Sequence, residues 1–172
     1  MDLQIRCETA EDIAAIDAVT VAAFANAPHT AHTEQYIVRA LRAAGALWLS
    51  LVAERQQRGV GRIVGHVALS NVAISDGSVG WFGLGPLSVS PEHQGLGIGT
   101  RLMHEALRLL RERGAARCVL LGDPAYYARF GFAAQPSLVL LGVPAEYFQA
   151  LALGAPLPRG IVTYHAAFAA TA

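Results

Sequence analysis

The sequence predicts an α/β (α+β) domain built on a mixed, mostly antiparallel sheet of about seven strands. Three observations carry that prediction. Residues 3–7, 47–53 and 62–70 show the short apolar or alternating pattern of half-buried strands, the last two joined through Gly59 as a hairpin. Residues 10–25 and 101–113 instead repeat their apolar positions at helical spacing. Finally, an apolar run at 81–89, the second of these helices and a short apolar run at 118–121 follow one another. That order is a right-handed βαβ crossover with two parallel strands.

Each element has a local cause. Leu3, Ile5 and Cys7 alternate with Gln4 and Arg6, which gives the first strand. Thr9 stands three residues before Asp12, and Ile13, Ile16, Val19, Ala23 and Phe24 form the stripe of a helix over 10–25. Pro28, His29 and His32 interrupt that stripe, and Tyr36, Ile37, Ala40 and Leu41 resume it as a second helix stopped by Gly45. After the hairpin, the turn Ser75-Asp76-Gly77 leads into a strand from Trp81 to Val89. Pro86 supplies no ladder N–H, so this strand must be bulged or splayed. Leu102, Met103, Ala106, Leu107 and Leu110 form one face of the next helix, which Gly114 ends. Asp123-Pro124 is an N-cap followed by proline at the first helical position, so a short helix follows over 125–130. The tail reads as a strand at 138–141, a short helix at 146–151 and a strand at 161–164.

A chain of 172 residues is read as a single domain, 1–172, able to bury its own core. Thirteen Lys and Arg balance thirteen Asp and Glu, which leaves no basic footprint for nucleic acid and no polybasic membrane patch. Cys7 and Cys118 are far apart and outside any Cys/His cluster, so they read as buried thiols with no metal role. Charges interrupt every apolar run before membrane-spanning length, and the expected setting is cytoplasmic. The apolar tail from Leu138 to Phe168 suits a homodimer contact as well as a core.

Chemistry concentrates in Leu87-Ser-Val-Ser-Pro-Glu-His-Gln-Gly-Leu-Gly-Ile-Gly-Thr100, where a strand ends, a glycine-rich turn follows and a helix begins. Gly95, Gly97 and Gly99 remove every second Cβ and let backbone N–H groups converge on an anion at the helix start. A nucleoside-triphosphate loop needs Lys and Ser/Thr after its last glycine, and here Thr100-Arg101 follow. A dinucleotide fingerprint counted from Gly95 meets Thr100 at its third glycine position.

What the stretch does match is Gln-x-x-Gly-x-Gly, at Gln94, Gly97 and Gly99, and this resembles the GNAT superfamily of N-acetyltransferases. A second stretch, Tyr126-Tyr-Ala-Arg-Phe-Gly-Phe132, is similar to that family's Tyr-x-x-x-Gly-Phe ending. With the preceding Gly-Asp-Pro-Ala, it resembles the YhbS-like subgroup. The resemblance covers most of the chain in element order and implies the acyl-CoA N-acyltransferase fold, with helices on both faces of the sheet. It also implies acetyl-CoA as co-substrate, with its pyrophosphate held by the backbone of Gln94, Gly95, Leu96, Gly97, Ile98 and Gly99 and by Thr100. The pantetheine arm would run along Leu87, Ser88 and Val89. Tyr127 would be the general acid for the departing thiolate, with Tyr126 an aromatic core residue beside it. A phenol suits that role because its ordinary pKa of about 10 keeps it protonated at neutral pH.

Under this resemblance the acceptor is a primary amine, on a small molecule or a peptide, that attacks the thioester directly. Many family members carry a glutamate base on the strand before the motif, whereas residues 81–89 contain no acid. His66, on a central strand, could relay a proton, yet a lone histidine there reads better as a hydrogen-bonded structural residue; Glu92, His93, His29 and His32 read as surface residues, and Arg101 as a CoA-phosphate ligand or a solvent-facing side chain. Two alternatives stand beside this reading: a non-catalytic acyl-CoA-binding regulatory module, and a protein or peptide N-acetyltransferase.

Overall fold

The computed structural model describes residues 3–28, 30–57 and 59–172. The chain opens with strand β1 (Leu3–Cys7), a 3-10 turn (Ala10–Asp12) and helices α1 (Ile13–Phe24) and α2 (Glu34–Ala43). Asp12 closes the turn by accepting the Thr9 N–H at 2.8 Å. It also takes two hydrogen bonds from Arg6, which hold its carboxyl down to about 2. The long hairpin of β2 (Leu47–Gln57) and β3 (Val60–Asn71) follows, then a short β4 (Ala73–Ile74) and the strand β5 (Trp81–Val89). Helix α3 (Ile98–Glu112), strand β6 (Arg117–Leu121) and helix α4 (Pro124–Tyr127) complete the crossover. The tail contributes β7 (Ala133–Ala134), β8 (Leu138–Val139), β9 (Phe148–Ala152) and β10 (Gly160–Thr163).

Seven strands form the main sheet, in the order β1-β2-β3-β5-β6-β9-β7, with β5 and β6 parallel and the other pairs antiparallel. The expected mixed sheet of seven strands is present, although two of its members differ. Residues 146–151 do not form a helix. Phe148 to Ala152 pair with β6 from Leu121 to Arg117, and Phe148 and Ala150 face one side while Gln149 faces the other. Long-range pairing overrides the local reading, because a short apolar run fits either period. The strands expected at 138–141 and 161–164 lie in a separate three-stranded sheet with β4. Leu138, Phe148 and Val162 of the tail are buried with Trp81, Val119 and Ile74, so much of its apolar content is core.

Strand periodicity sorts the two faces of the sheet. Leu49, Leu51 and Ala53 of β2 with Val67 and Leu69 of β3 pack against Leu102, Met103, Ala106 and Leu110 of α3. The intervening residues Val52 and Ala68 pack against Ile16 of α1 and Val38 of α2. Helices therefore cover both faces, as expected. Cys118 is buried, but Cys7 is exposed at the end of an edge strand, where the sheet has no further strand to cover it among the described residues. No helix among the described residues is long and apolar enough to cross a membrane.

Candidate active site

The splay anticipated at Pro86 is present. Ladder pairing of β5 with β6 stops at Gly83, opposite Val119, so Leu84 to Val89 have no ladder partner on that side. On the other side the register with β3 slips at this point: Val67 pairs with Leu87 but Leu69 pairs with Leu84, which leaves one extra residue in β5 around the cis Gly85–Pro86 bond. Backbone groups of Leu87, Ser88 and Val89 thus stand at the opening of a wedge between parallel strands.

A turn at Pro91–His93 then carries the chain from β5 to α3. The Gln94 side chain donates to the Val89 carbonyl at 3.1 Å and ties the loop to the strand end. Gly95 and Gly97 have φ of +73° and +78°, the left-handed region in which a Cβ is costly. Gly97 is the N-cap of α3 and no side chain among the described residues caps that end, so the N–H groups of Ile98, Gly99 and Thr100 are available to an external acceptor. Side chains at Gly95 or Gly97 would meet nothing within 4 Å, so the loop borders open space. Free N–H groups, the positive end of a fifteen-residue helix and that space together fit a diphosphate.

Loop and strand meet in one cleft of about 430 Å³. Leu87, Val89, Gln94, Gly95, Gly97, Ile98, Gly99 and Thr100 line it, joined by Ala23 and Phe24 at the end of α1 and by His93, Tyr126 and Arg129. Two of the expected residues reach the site by backbone alone. Leu96 turns outward, 57 % exposed, so only its backbone belongs to the loop. The Ser88 side chain is buried on the opposite face of β5 from Leu87 and Val89, where its hydroxyl donates to Thr20 at 3.3 Å.

The two tyrosines divide the far wall. Asp123 caps α4 by accepting the Ala125 N–H at 2.9 Å, as the sequence anticipates. Tyr126 turns into the cleft, where its hydroxyl lies 2.7 Å from the place a Cβ on Gly99 would occupy. Arg129 stacks on its ring at 4.8 Å. Tyr126 is therefore a wall of the cleft as well as a packing residue, a placement its sequence position did not reveal. Tyr127 stands behind it, edge-on to Tyr126 at 4.9 Å and against Gly122, where a Cβ would lie 2.2 Å from its ring. Burial, reinforced by Tyr126 and Asp123, pushes the Tyr127 phenol well above its ordinary value, so it is held protonated.

The other candidates separate cleanly. Glu92 is exposed, and His93 lines the cleft with its ring 3.3 Å from the Ser90 hydroxyl. His32 interacts with the Phe24 carbonyl at 3.0 Å, and His29 lies outside the described residues. Arg101 donates to the Leu3 carbonyl at 2.7 Å, away from the cleft lining. Among the described residues no cluster of three or more His, Cys, Asp or Glu could hold a metal ion. His66 is fully buried, and its Nε2 lies 2.8 Å from Ser50 Oγ.

The sequence profile of the acetyltransferase (GNAT) family matches residues 13–132, a span that includes the loop, the splayed strand and both tyrosines. The chain belongs to this family. It is 38 % identical over 128 residues to the uncharacterized N-acetyltransferase YhbS of Escherichia coli K12, covering 74 % of this chain and 72 % of that protein. Its fold is similar to that of a GNAT family acetyltransferase from Brucella melitensis solved with acetyl-CoA (48 % identity, TM-score 0.84, 97 % of this chain and 98 % of that one). It is likewise similar to E. coli YhbS solved with CoA (33 % identity, TM-score 0.86, 97 % and 92 % covered). The resemblance read from Gln94 to Thr100 and from Tyr126 to Phe132 is thus a family relationship, with the YhbS group among its relatives.

Proposed function

We propose that this protein transfers the acetyl group of acetyl-CoA to a primary amine by direct attack. The observation that carries the proposal is the meeting of an uncapped helix N-terminus, opened by left-handed glycines, with the splayed end of β5 in one cleft. Gln94 to Thr100 hold the pyrophosphate, and the backbone of Leu87 to Val89, laddered to β3 on one side and released from β6 on the other, takes the pantetheine amides as an added strand would and polarises the thioester carbonyl. Tyr127, protonated at neutral pH, returns a proton to the sulfur. Most of the rate enhancement comes from holding amine and thioester side by side. The exposed, unpaired Cys7 fits a reducing compartment such as the cytoplasm.

The placement of the tyrosines gives the test its form. Tyr126 faces the anion loop, so Tyr126→Phe weakens acetyl-CoA binding about threefold to tenfold with little change in turnover, the loss of one hydrogen bond. Tyr127→Phe leaves binding intact and lowers turnover by on the order of 100-fold, the usual size of general-acid assistance. Titration of acetyl-CoA and CoA release across a panel of small amines and peptides read both effects. Exchanged phenotypes reassign the acid to Tyr126. Tight binding without amine-dependent CoA release would instead support a non-catalytic acyl-CoA-binding module.

A further inference from the structure

Backbone groups alone leave the diphosphate site weak in charge. A diphosphate diester carries about two negative charges at neutral pH, and a helix N-terminus offers roughly half a positive one. The chain as a whole is neutral and adds no attracting field. No Asp or Glu lines the cleft, and the lining side chains able to carry a positive charge are His93 and Arg129. The His93 ring is turned to Ser90, 3.3 Å from its hydroxyl. Two arginines of α3 are committed elsewhere: Arg101 donates to the Leu3 carbonyl at 2.7 Å, and Arg108 is paired with Glu105 and Glu112. Arg129 is placed differently.

It belongs to the 3-10 turn Ala128–Phe130 that continues α4. Phe130 is buried and anchors that turn, its ring 5.6 Å from the ring of Tyr126. The Arg129 Nε donates to the Tyr126 carbonyl at 2.9 Å, and the guanidinium carbon lies 4.8 Å over the Tyr126 ring. The hydroxyl of that same ring stands over Gly99, so the width of one phenol separates the guanidinium from the start of α3. Among the described residues Arg129 has no carboxylate partner, and its Nη1 and Nη2 make no hydrogen bond. The side chain is exposed at the cleft, yet the stack and the backbone bond orient it. A planar fork held in this way is suited to phosphate oxygens, which it meets in pairs.

We infer that Arg129, held on the ring of Tyr126, is a side-chain ligand of the diphosphate, and that the two residues act as one clamp across the cleft from the glycine loop. This rests on the reading of Gln94 to Thr100 as a diphosphate cradle. The helix start gives N–H groups to one side of the anion. The Tyr126 hydroxyl donates beside Gly99, and the Arg129 fork closes the other side with charge-assisted hydrogen bonds. The clamp also gives Gly99 a second purpose. A Cβ there would meet the Tyr126 hydroxyl at 2.7 Å, so any larger residue displaces the ring and the guanidinium stacked on it. Selection of the acyl donor then falls on its diphosphate, a group remote from the thioester.

Binding of CoA, 3′-dephospho-CoA and pantetheine to wild-type protein and Arg129→Gln tests the clamp, because the first two ligands share the diphosphate and pantetheine lacks it. The variant should bind CoA and 3′-dephospho-CoA on the order of tenfold to 100-fold more weakly, and pantetheine as wild type does. An equal loss for pantetheine would make Arg129 a packing residue, and no loss for any ligand would make it a surface bystander; either result overturns the clamp. A loss confined to CoA would put the guanidinium on the 3′-phosphate and overturn it as well. Tyr126→Leu gives a second reading. With the ring gone, Arg129→Gln should weaken CoA binding by at most about a further twofold, and an undiminished further loss would show that the two side chains do not act together. If wild-type protein binds CoA no more tightly than pantetheine, the cradle itself fails, whatever the variants do.

Discussion

The two faces of the main sheet solve different problems with the same strands. Under α3, β2 and β3 present Leu49, Leu51, Ala53, Val67 and Leu69 to a helix whose Leu102, Met103, Ala106 and Leu110 are buried, and no polar side chain interrupts the contact. Under α1 and α2 the same strands present Val52 and Ala68 interleaved with Ser50, His66 and Ser70. The first arrangement is dry and continuous, which fixes the N-terminus of α3 where the anion loop needs it. The second keeps polar groups beside the strand along which acyl transfer is proposed. A rigid apolar face therefore underlies the anion loop, and the face opposite holds buried hydrogen-bonding groups.

The largest effect that would break this contrast is a cavity on the dry face. Leu102→Ala, at a fully buried position, should cost about 2–5 kcal/mol in chemical denaturation. Acetyl-CoA affinity should fall with it, because Ile98 to Thr100 begin the same helix.

The polar face has a different signature, in pH. His66 titrates at about 4 in the fold, against about 6.5 for an ordinary histidine, because burial disfavours its charged form. Between those values the unfolded chain binds the proton that the folded one refuses. The stability His66 contributes is therefore complete above about pH 6.5 and is lost as pH falls towards 4, to a total of about 3 kcal/mol. Denaturation midpoints measured from pH 7 to 4 should show this loss, and His66→Gln should flatten it. An equal slope in wild type and variant would mean that the ring is not held neutral.

How much of this was legible in the sequence follows from the distance over which each feature is encoded. The anion loop is local: Gln94, Gly97 and Gly99 lie within six residues of one another, and their spacing alone pointed to the cradle. Pro86 likewise announced the bulge in β5, since a missing N–H is a property of one residue. Asp123-Pro124 gave the start of α4 for the same reason. The β9 strand was misread because nothing within Phe148 to Ala152 specifies that its partner is β6. Tyr126 and Tyr127 are adjacent on a helical turn, so their side chains point about 100° apart, and only the packing of Tyr127 on Gly122 decides which one enters the cleft. The polar groups under α1 and α2 were least legible, because Glu8 meets Ser50 across 42 residues and Ser50 meets His66 across 16.

The diphosphate cradle is tested most directly by the binding of acetyl-CoA compared with acetyl-pantetheine, which carries the same thioester and arm but lacks the diphosphate and the 3′-phosphoadenosine beyond it. Isothermal titration should give a dissociation constant at least tenfold lower for acetyl-CoA, a difference of about 1.4 kcal/mol supplied by the free N–H groups of Ile98 to Thr100. Equal affinity for the two ligands would contradict the assignment of Gln94 to Thr100 as a diphosphate cradle.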